Sequence, residues 1–229
     1  MPLSTVISQM QEKDFDKMVI NLYVGMGSIG RKIAPEWEDL HHVLPSIPQY
    51  EPLDVKNLLE ILQQWWPAYI RVPYQEFPEN IFNLADEVGI IDAQMLGKID
   101  FLSLKGYGYA GDYGTILASG ANFPTVLQLG DLLNESWRAC DIFVMSRLNG
   151  DWNQDFLSSV QKNKKLTVIM DYLPTEAWLA DFESQLQQAG VEEFALQWIF
   201  PKYENLTTIF DEYHREQAEF DAISLKSRL

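Results

Sequence analysis

A chain of 229 residues that is 47% hydrophobic and 22% charged can bury one large or two small cores and is too apolar to be disordered. Its formal net charge of −16 repels nucleic acid and anionic membranes, and no apolar run approaches the roughly 18 residues that cross a bilayer. One cysteine, Cys140, and three histidines, His41, His42 and His214, cannot supply a disulfide framework or a structural zinc site, and the N-terminus lacks a signal-peptide pattern, so a cytoplasmic protein is expected.

In chain order, residues 18–24 (MVINLYV) predict a buried strand, residues 36–44 and 53–65 predict helices, and residues 68–72 (AYIRV) predict a strand stopped by Pro73. A short helix is expected over 81–88. Residues 1–88 thus form a first unit. Residues 89–113, with the run GYGYAGDYG, read as a turn-rich connector whose Tyr107, Tyr109 and Tyr113 pack between two units. Residues 114–229 then alternate. Strands at 115–119, 141–146, 166–171 and 194–200 each precede a helix, at 123–134, 154–163, 176–189 and 205–229, with Gly190 closing the third as its C′ residue. Such alternation predicts an α/β fold with a doubly wound sheet. Cys140 falls inside a predicted strand, as a small buried hydrophobe.

Several motifs carry candidate chemistry. Gly25, Gly27 and Gly30 follow a strand in the G-x-G-x-x-G spacing that cradles a pyrophosphate, with Glu51 near the distance of a ribose-binding carboxylate, but Pro35 interrupts the helix this motif needs. Glu36, Glu38 and Asp39 beside His41 and His42 suggest a carboxylate–histidine site. Adjacent histidines diverge by about 100° on a helix, which favours a solvated face. Asp171 ends a predicted strand, where α/β sheets place functional groups or cap the next helix. Trp65, Trp66 and Phe77 are aromatic candidates for an interface. The carboxylates are spread along amphipathic helices, a distribution that serves solubility.

Residues 114–147, with the strand ending in Ala118-Ser119-Gly120 before a helix and a second strand, resemble the opening of the C-terminal domain of transketolase-like thiamine diphosphate enzymes. The order Ile47-Pro48, then Pro52-Leu53-Asp54, then Pro67 to Pro73 is similar to the later half of their pyrimidine-binding domain, and residues 21–30 are similar to the strand and loop before it. The likeness spans roughly residues 18–75 and 105–220. It implies a truncated pyrimidine-binding-like unit followed by a doubly wound C-terminal-like domain.

The departures shape the functional expectation. In the family a glutamate binds the aminopyrimidine ring and promotes ylid formation, in a segment that about seventeen residues before the first strand cannot hold. The loop after the first strand carries Pro35 near the family's histidine, Tyr74 stands near a phosphate-binding arginine, and no G-D-G…N-N diphosphate–magnesium motif occurs; Arg71 does match an arginine of the dehydrogenase and synthase branches. The resemblance therefore implies a non-catalytic or accessory subunit with a structural or assembly role and no cofactor of its own. The alternatives are one chain of a split transketolase or 2-oxo acid decarboxylase, with thiamine diphosphate and magnesium held by a site that a partner completes, or a small-molecule or dinucleotide-binding module using Gly25, Gly27 and Gly30. A half-domain leaves apolar surface that a second copy or a partner subunit would cover.

Overall fold

A computed structural model describes residues 19–24, 48–53, 55–62, 68–73, 101–103, 109–147, 152–170, 176–202 and 219–229. The first sheet holds β1 (Val19–Val24), β2 (Gln49–Tyr50) and β3 (Ala68–Pro73) in the order β1-β3-β2, all parallel. Helix α1 (Val55–Leu62) lies between β2 and β3 in the chain and buries Ile61 with Tyr50, Ala68 and Ile70. Of the helix expected over 53–65, Leu53 lies outside it in a bend and residues 63–65 lie outside the described residues. The helices expected at 36–44 and 81–88 lie outside the described residues.

The second sheet has five strands, β4 (Phe101–Ser103), β5 (Thr115–Ser119), β6 (Asp141–Met145), β7 (Lys165–Ile169) and β8 (Ala195–Ile199), in the order β4-β6-β5-β7-β8. The last four are mutually parallel and begin and end within two residues of the expected strands. Between them run α2 (Phe123–Glu135), α3 (Gln154–Asn163) and α4 (Glu176–Gln188), and α5 (Ala222–Arg228) follows β8. This is an α/β fold with parallel sheets covered by helices.

Side chains alternate across a strand, so β5, β6 and β7 feed two cores. Ile116, Ala118, Ile142, Val144 and Ile169 pack with α2 and α5. Leu117, Phe143, Met145, Leu166 and Val168 pack on the opposite face with Phe156 and Val160 of α3 and Phe182 and Leu186 of α4. An aromatic row ties that second face together: Trp152 lies 5.5 Å from Phe156 and 5.2 Å from Phe182, and Phe182 lies 4.9 Å from Trp198. The two edge-to-face pairs, Trp152–Phe182 and Phe182–Trp198, each contribute about 0.5–1.5 kcal/mol beyond their area.

Two expectations need correction. Residues 89–113 are not turn alone: β4 lies within them and pairs antiparallel with β6, Phe101 opposite Met145. Tyr109 packs in the core of the second sheet, which Leu53 of the first unit also enters: its ring lies over Gly130 of α2, where an added Cβ would meet it at 2.5 Å, and its hydroxyl donates to Asp131 at 2.8 Å. The second correction concerns the last helix. It does not run unbroken over 205–229, because Glu219 takes a left-handed φ of 51° and the Asp221 carboxylate accepts from the N–H groups of Ile223 and Ser224, starting α5 afresh.

Helix ends follow known physics. Gly190 sits at φ 87° after α4, with the Gly190 N–H on the Gln187 carbonyl and the Val191 N–H on the Leu186 carbonyl, the paired bonds of a Schellman ending. At the amino edge of the sheet, the buried Asp141 carboxylate accepts from Ser159 at 2.6 Å and from the Gly111 N–H at 3.0 Å, while Asn163 bridges Gly114 and Thr115. This network ties the start of β5, the start of β6 and the end of α3.

Cys140, expected inside a strand, instead lies buried one residue before β6, and burial, helped by Asp141 and opposed by Lys165 and Arg138, pushes its thiol up to about 11. An unfolded thiol loses its proton near 9, so between pH 9 and 11 the unfolded chain binds fewer protons and stability falls as pH rises, by about 2 kcal/mol. Cys140→Ala is expected to flatten that alkaline limb in denaturant titrations, and the native thiol to react with iodoacetamide at pH 8 far more slowly than in guanidinium. Equal labelling rates would show that the thiol is accessible.

Candidate functional site at the carboxyl edge of the second sheet

Strands β5 and β7 are neighbours, yet their following helices leave to opposite faces: α2 joins the Ile116 face and α4 the Leu117 face. Such a switch point opens a crevice at the carboxyl ends of the strands, the usual ligand position in open α/β sheets. The beginning of that crevice is the turn Ser119-Gly120, followed by a 3₁₀ turn (Gly120–Asn122) that enters α2 with Pro124 in its first turn.

The neighbouring carboxyl edge at β5 and β6 is covered by the chain itself. An added Cβ on Gly120 would lie 2.1 Å from the Glu51 carbonyl oxygen, so glycine is required there for the close approach of the two backbones. The Glu51 N–H donates to the Ser146 carbonyl at 2.7 Å, and Tyr50 forms an antiparallel bridge with Arg147. The Asn57 side-chain oxygen accepts from the Ser146 hydroxyl at 2.9 Å and from the Leu53 N–H at 3.2 Å. Leu53 enters the core made by α2 and α5. The five residues from Gln49 to Leu53 therefore rivet the first sheet to the second.

The joint is polar and closed to water. Glu51, Ser119, Asn122 and Ser146 are all fully buried, and the Asn122 amide donates to the Ser119 hydroxyl at 2.9 Å. Glu51, the carboxylate at ribose-binding distance in the sequence, lies fully buried within this joint. Chemically the arrangement joins two backbones. Among the described residues no group of three or more His, Cys, Asp or Glu side chains could hold a metal ion.

Arg71 lies in β3 opposite Leu22 of β1, inside the first sheet. Gly25, Gly27, Gly30, Trp65, Trp66 and Phe77 lie outside the described residues, as do Asp171, the acidic–histidine stretch 36–42 and Tyr107. Sequence reasoning missed Gln49–Leu53 as a docking element. Its signal was present in Ile47-Pro48 and Pro52, prolines that bar a helix and hold the chain extended for pairing. No described helix is long and apolar enough to cross a membrane.

No protein-family model matches the sequence, and no curated protein does. Solved structures do match. The β4 tetramer of a split-gene transketolase, an inactive assembly, superposes with a TM-score of 0.62 at 15% identity over 92% of this chain and 65% of that one. Transketolase from Campylobacter jejuni gives 0.60 at 14% identity over 91% of this chain, and a transketolase mutant from Pichia stipitis gives 0.58 at 12% over 92%. This chain spans 65% of the split-gene chain and 30% and 29% of the other two. The fold is transketolase-like.

Gly120→Ala is expected to lower stability by about 2 kcal/mol or more, because neither facing backbone can yield cheaply. Hydrogen exchange should show lost protection at the Glu51 amide. A variant with an unchanged denaturation midpoint and a protected Glu51 would show that the joint tolerates the methyl group.

Proposed function

We propose that this chain is a non-catalytic or accessory transketolase-like subunit whose role is structural, in assembly. The observation that carries this reading is the joint: the carboxyl edge at β5 and β6 is filled by Glu51 and its neighbours, so these residues serve cohesion between two sheets. The close packing at the Ser119-Gly120 turn supports the same reading, since it leaves no room there for a diphosphate. A phosphate-cradling turn presents open space above its glycine, whereas Gly120 faces the Glu51 carbonyl, and no metal-ligand cluster converges among the described residues. No catalytic step is routed through thiamine diphosphate here.

One observation favours a second reading. The likeness to a split-gene transketolase chain supports the chain being one part of an enzyme completed by a partner. In that reading the partner carries the aminopyrimidine-binding glutamate and the diphosphate-binding domain. Either way the chain associates, with a second copy or with a partner subunit, and the anchors proposed from the sequence are Trp65, Trp66 and Phe77.

Calorimetry of the purified chain with thiamine diphosphate and magnesium is expected to show no saturable heat, and light scattering to show an oligomer that Trp66→Ala weakens by about 2 kcal/mol. Transketolase turnover that appears only when a co-purified native partner is added would select the split-enzyme reading. Micromolar cofactor binding by the chain alone would overturn the accessory reading.

A further inference from the structure

The amino edge of the second sheet, opposite the joint, carries an unusual residue at an unusual angle. Helix α2 ends as α4 does: the Trp137 N–H bonds the Asn134 carbonyl at 3.1 Å and the Arg138 N–H bonds the Leu133 carbonyl at 3.0 Å. The C′ position of such an ending is left-handed and ordinarily glycine, as at Gly190. Here it is Trp137, at φ 59° and 95% exposed. Lys164, Glu193 and Glu219 also take the left-handed angle, but each is a charged residue; Trp137 is the one large apolar side chain placed there among the described residues. Glycine would relieve the backbone, and a buried indole would remove apolar area from water, yet the chain has neither. Strain at a bulky residue that packs on nothing points outward, to a contact made with another molecule.

The surroundings have the composition of a recognition surface. Of the four large hydrophobic side chains exposed among the described residues, three lie at α2, α5 and the start of β5: Trp137, Ile223 at 73% and Tyr113 at 40%. Two cations lie over Tyr113. Lys165 lies 4.6 Å and Arg138 5.7 Å from the Tyr113 ring centre, and Arg138 donates to the Lys226 carbonyl at 3.4 Å. Lys226 is three residues beyond Ile223, on the same face of α5. Asp112 pairs with Lys162 and so neutralises one neighbouring cation, while Arg138 and Lys165 stay over the Tyr113 ring, Lys165 also donating to the Leu229 carbonyl at 3.3 Å, and Lys226 follows on α5. Aromatic residues and arginine dominate interface hot spots.

We infer that Trp137, Tyr113 and Ile223, framed by Arg138, Lys165 and Lys226, form a docking surface for an acidic protein segment bearing apolar side chains. Charge selects this occupant. The chain as a whole carries −16, but at physiological salt charges beyond about 8 Å are screened, so an incoming segment responds to the local cations. A symmetric second copy would set these cations against themselves. The surface is independent of whether the chain is an accessory or a split-enzyme subunit, because it lies at the opposite edge from the joint.

The test uses the full chain and a fluorescein-labelled helical peptide of leucine and glutamate, roughly 16 residues long, beside a leucine–lysine counterpart. The acidic peptide is expected to give saturable anisotropy and the basic one none, with affinity falling at least about threefold as salt rises from about 0.1 to about 1 M. Lys165→Glu with Lys226→Glu should weaken binding about tenfold or more. Trp137→Gly should weaken it about 30-fold while leaving the melting temperature unchanged or raised by up to roughly 4 °C, a combination that a structural role for the indole would not give. Binding that survives Trp137→Gly, equal binding of both peptides, tighter binding of a single-stranded RNA oligonucleotide, or self-association that depends on Trp137 would each overturn the proposal.

Discussion

The joint between the two sheets turns on one close backbone approach, that of the Glu51 carbonyl to Gly120, around which the other links of Gln49–Leu53 are arranged. A side chain at Gly120 would separate the sheets, and separation would expose Gln49, Glu51, Ser119 and Ser146, all now buried. Because the Glu51 N–H bonds the Ser146 carbonyl, the contact also fixes where β6 ends relative to β5. Leu53 supplies the apolar part of the same joint by entering the core under α2. The polar and apolar halves depend on each other: a buried backbone N–H without its carbonyl costs about 1–3 kcal/mol, so Leu53 docks only where the hydrogen bonds also close.

The same constraint decides what the carboxyl edge can do. In an open α/β sheet this is the edge that ordinarily receives a ligand. Here a strand end of the first unit occupies the part next to β5 and β6, and the cohesion of the molecule is obtained at the position where chemistry would otherwise be placed. The amino edge has the complementary character. Asp141, Ser159, Asn163 and the Gly111 N–H satisfy one another inside it, while outside it Trp137 and the cations around Tyr113 face water. The interior of that edge is settled by its own hydrogen bonds, and its exterior is left for recognition.

The two Schellman endings show how local rules and their violation differ in meaning. At Gly190 the residue type, the left-handed angle and the buried contact between Val191 and the α4 face agree, so the ending is explained by folding alone. At Trp137 the hydrogen bonds are the same and the residue type disagrees with the angle. Natural chains break local consistency mainly where something other than folding is served. A net charge of −16 conceals the matter further, because the average hides a local concentration of lysine and arginine at one edge.

Local chemistry was legible in the sequence. The four parallel strands of the second sheet, the helices between them, the C′ role of Gly190 and the burial of Cys140 all follow from period, branching and turn residues, which act within a few positions of themselves. The break before α5 is local too, made by Asp221 capping Ile223 and Ser224. The order β4-β6-β5-β7-β8 with β4 reversed, the capture of Tyr109 by α2 and the burial of Glu51 do not follow from any such window. Each depends on a partner far along the chain: Gly120 for Glu51, Gly130 and Asp131 for Tyr109, Met145 for Phe101. Periodicity states which face of an element is apolar but not which other element will cover it. That choice is made by backbone approach and hydrogen-bond closure between distant segments, and only the tertiary structure decided it.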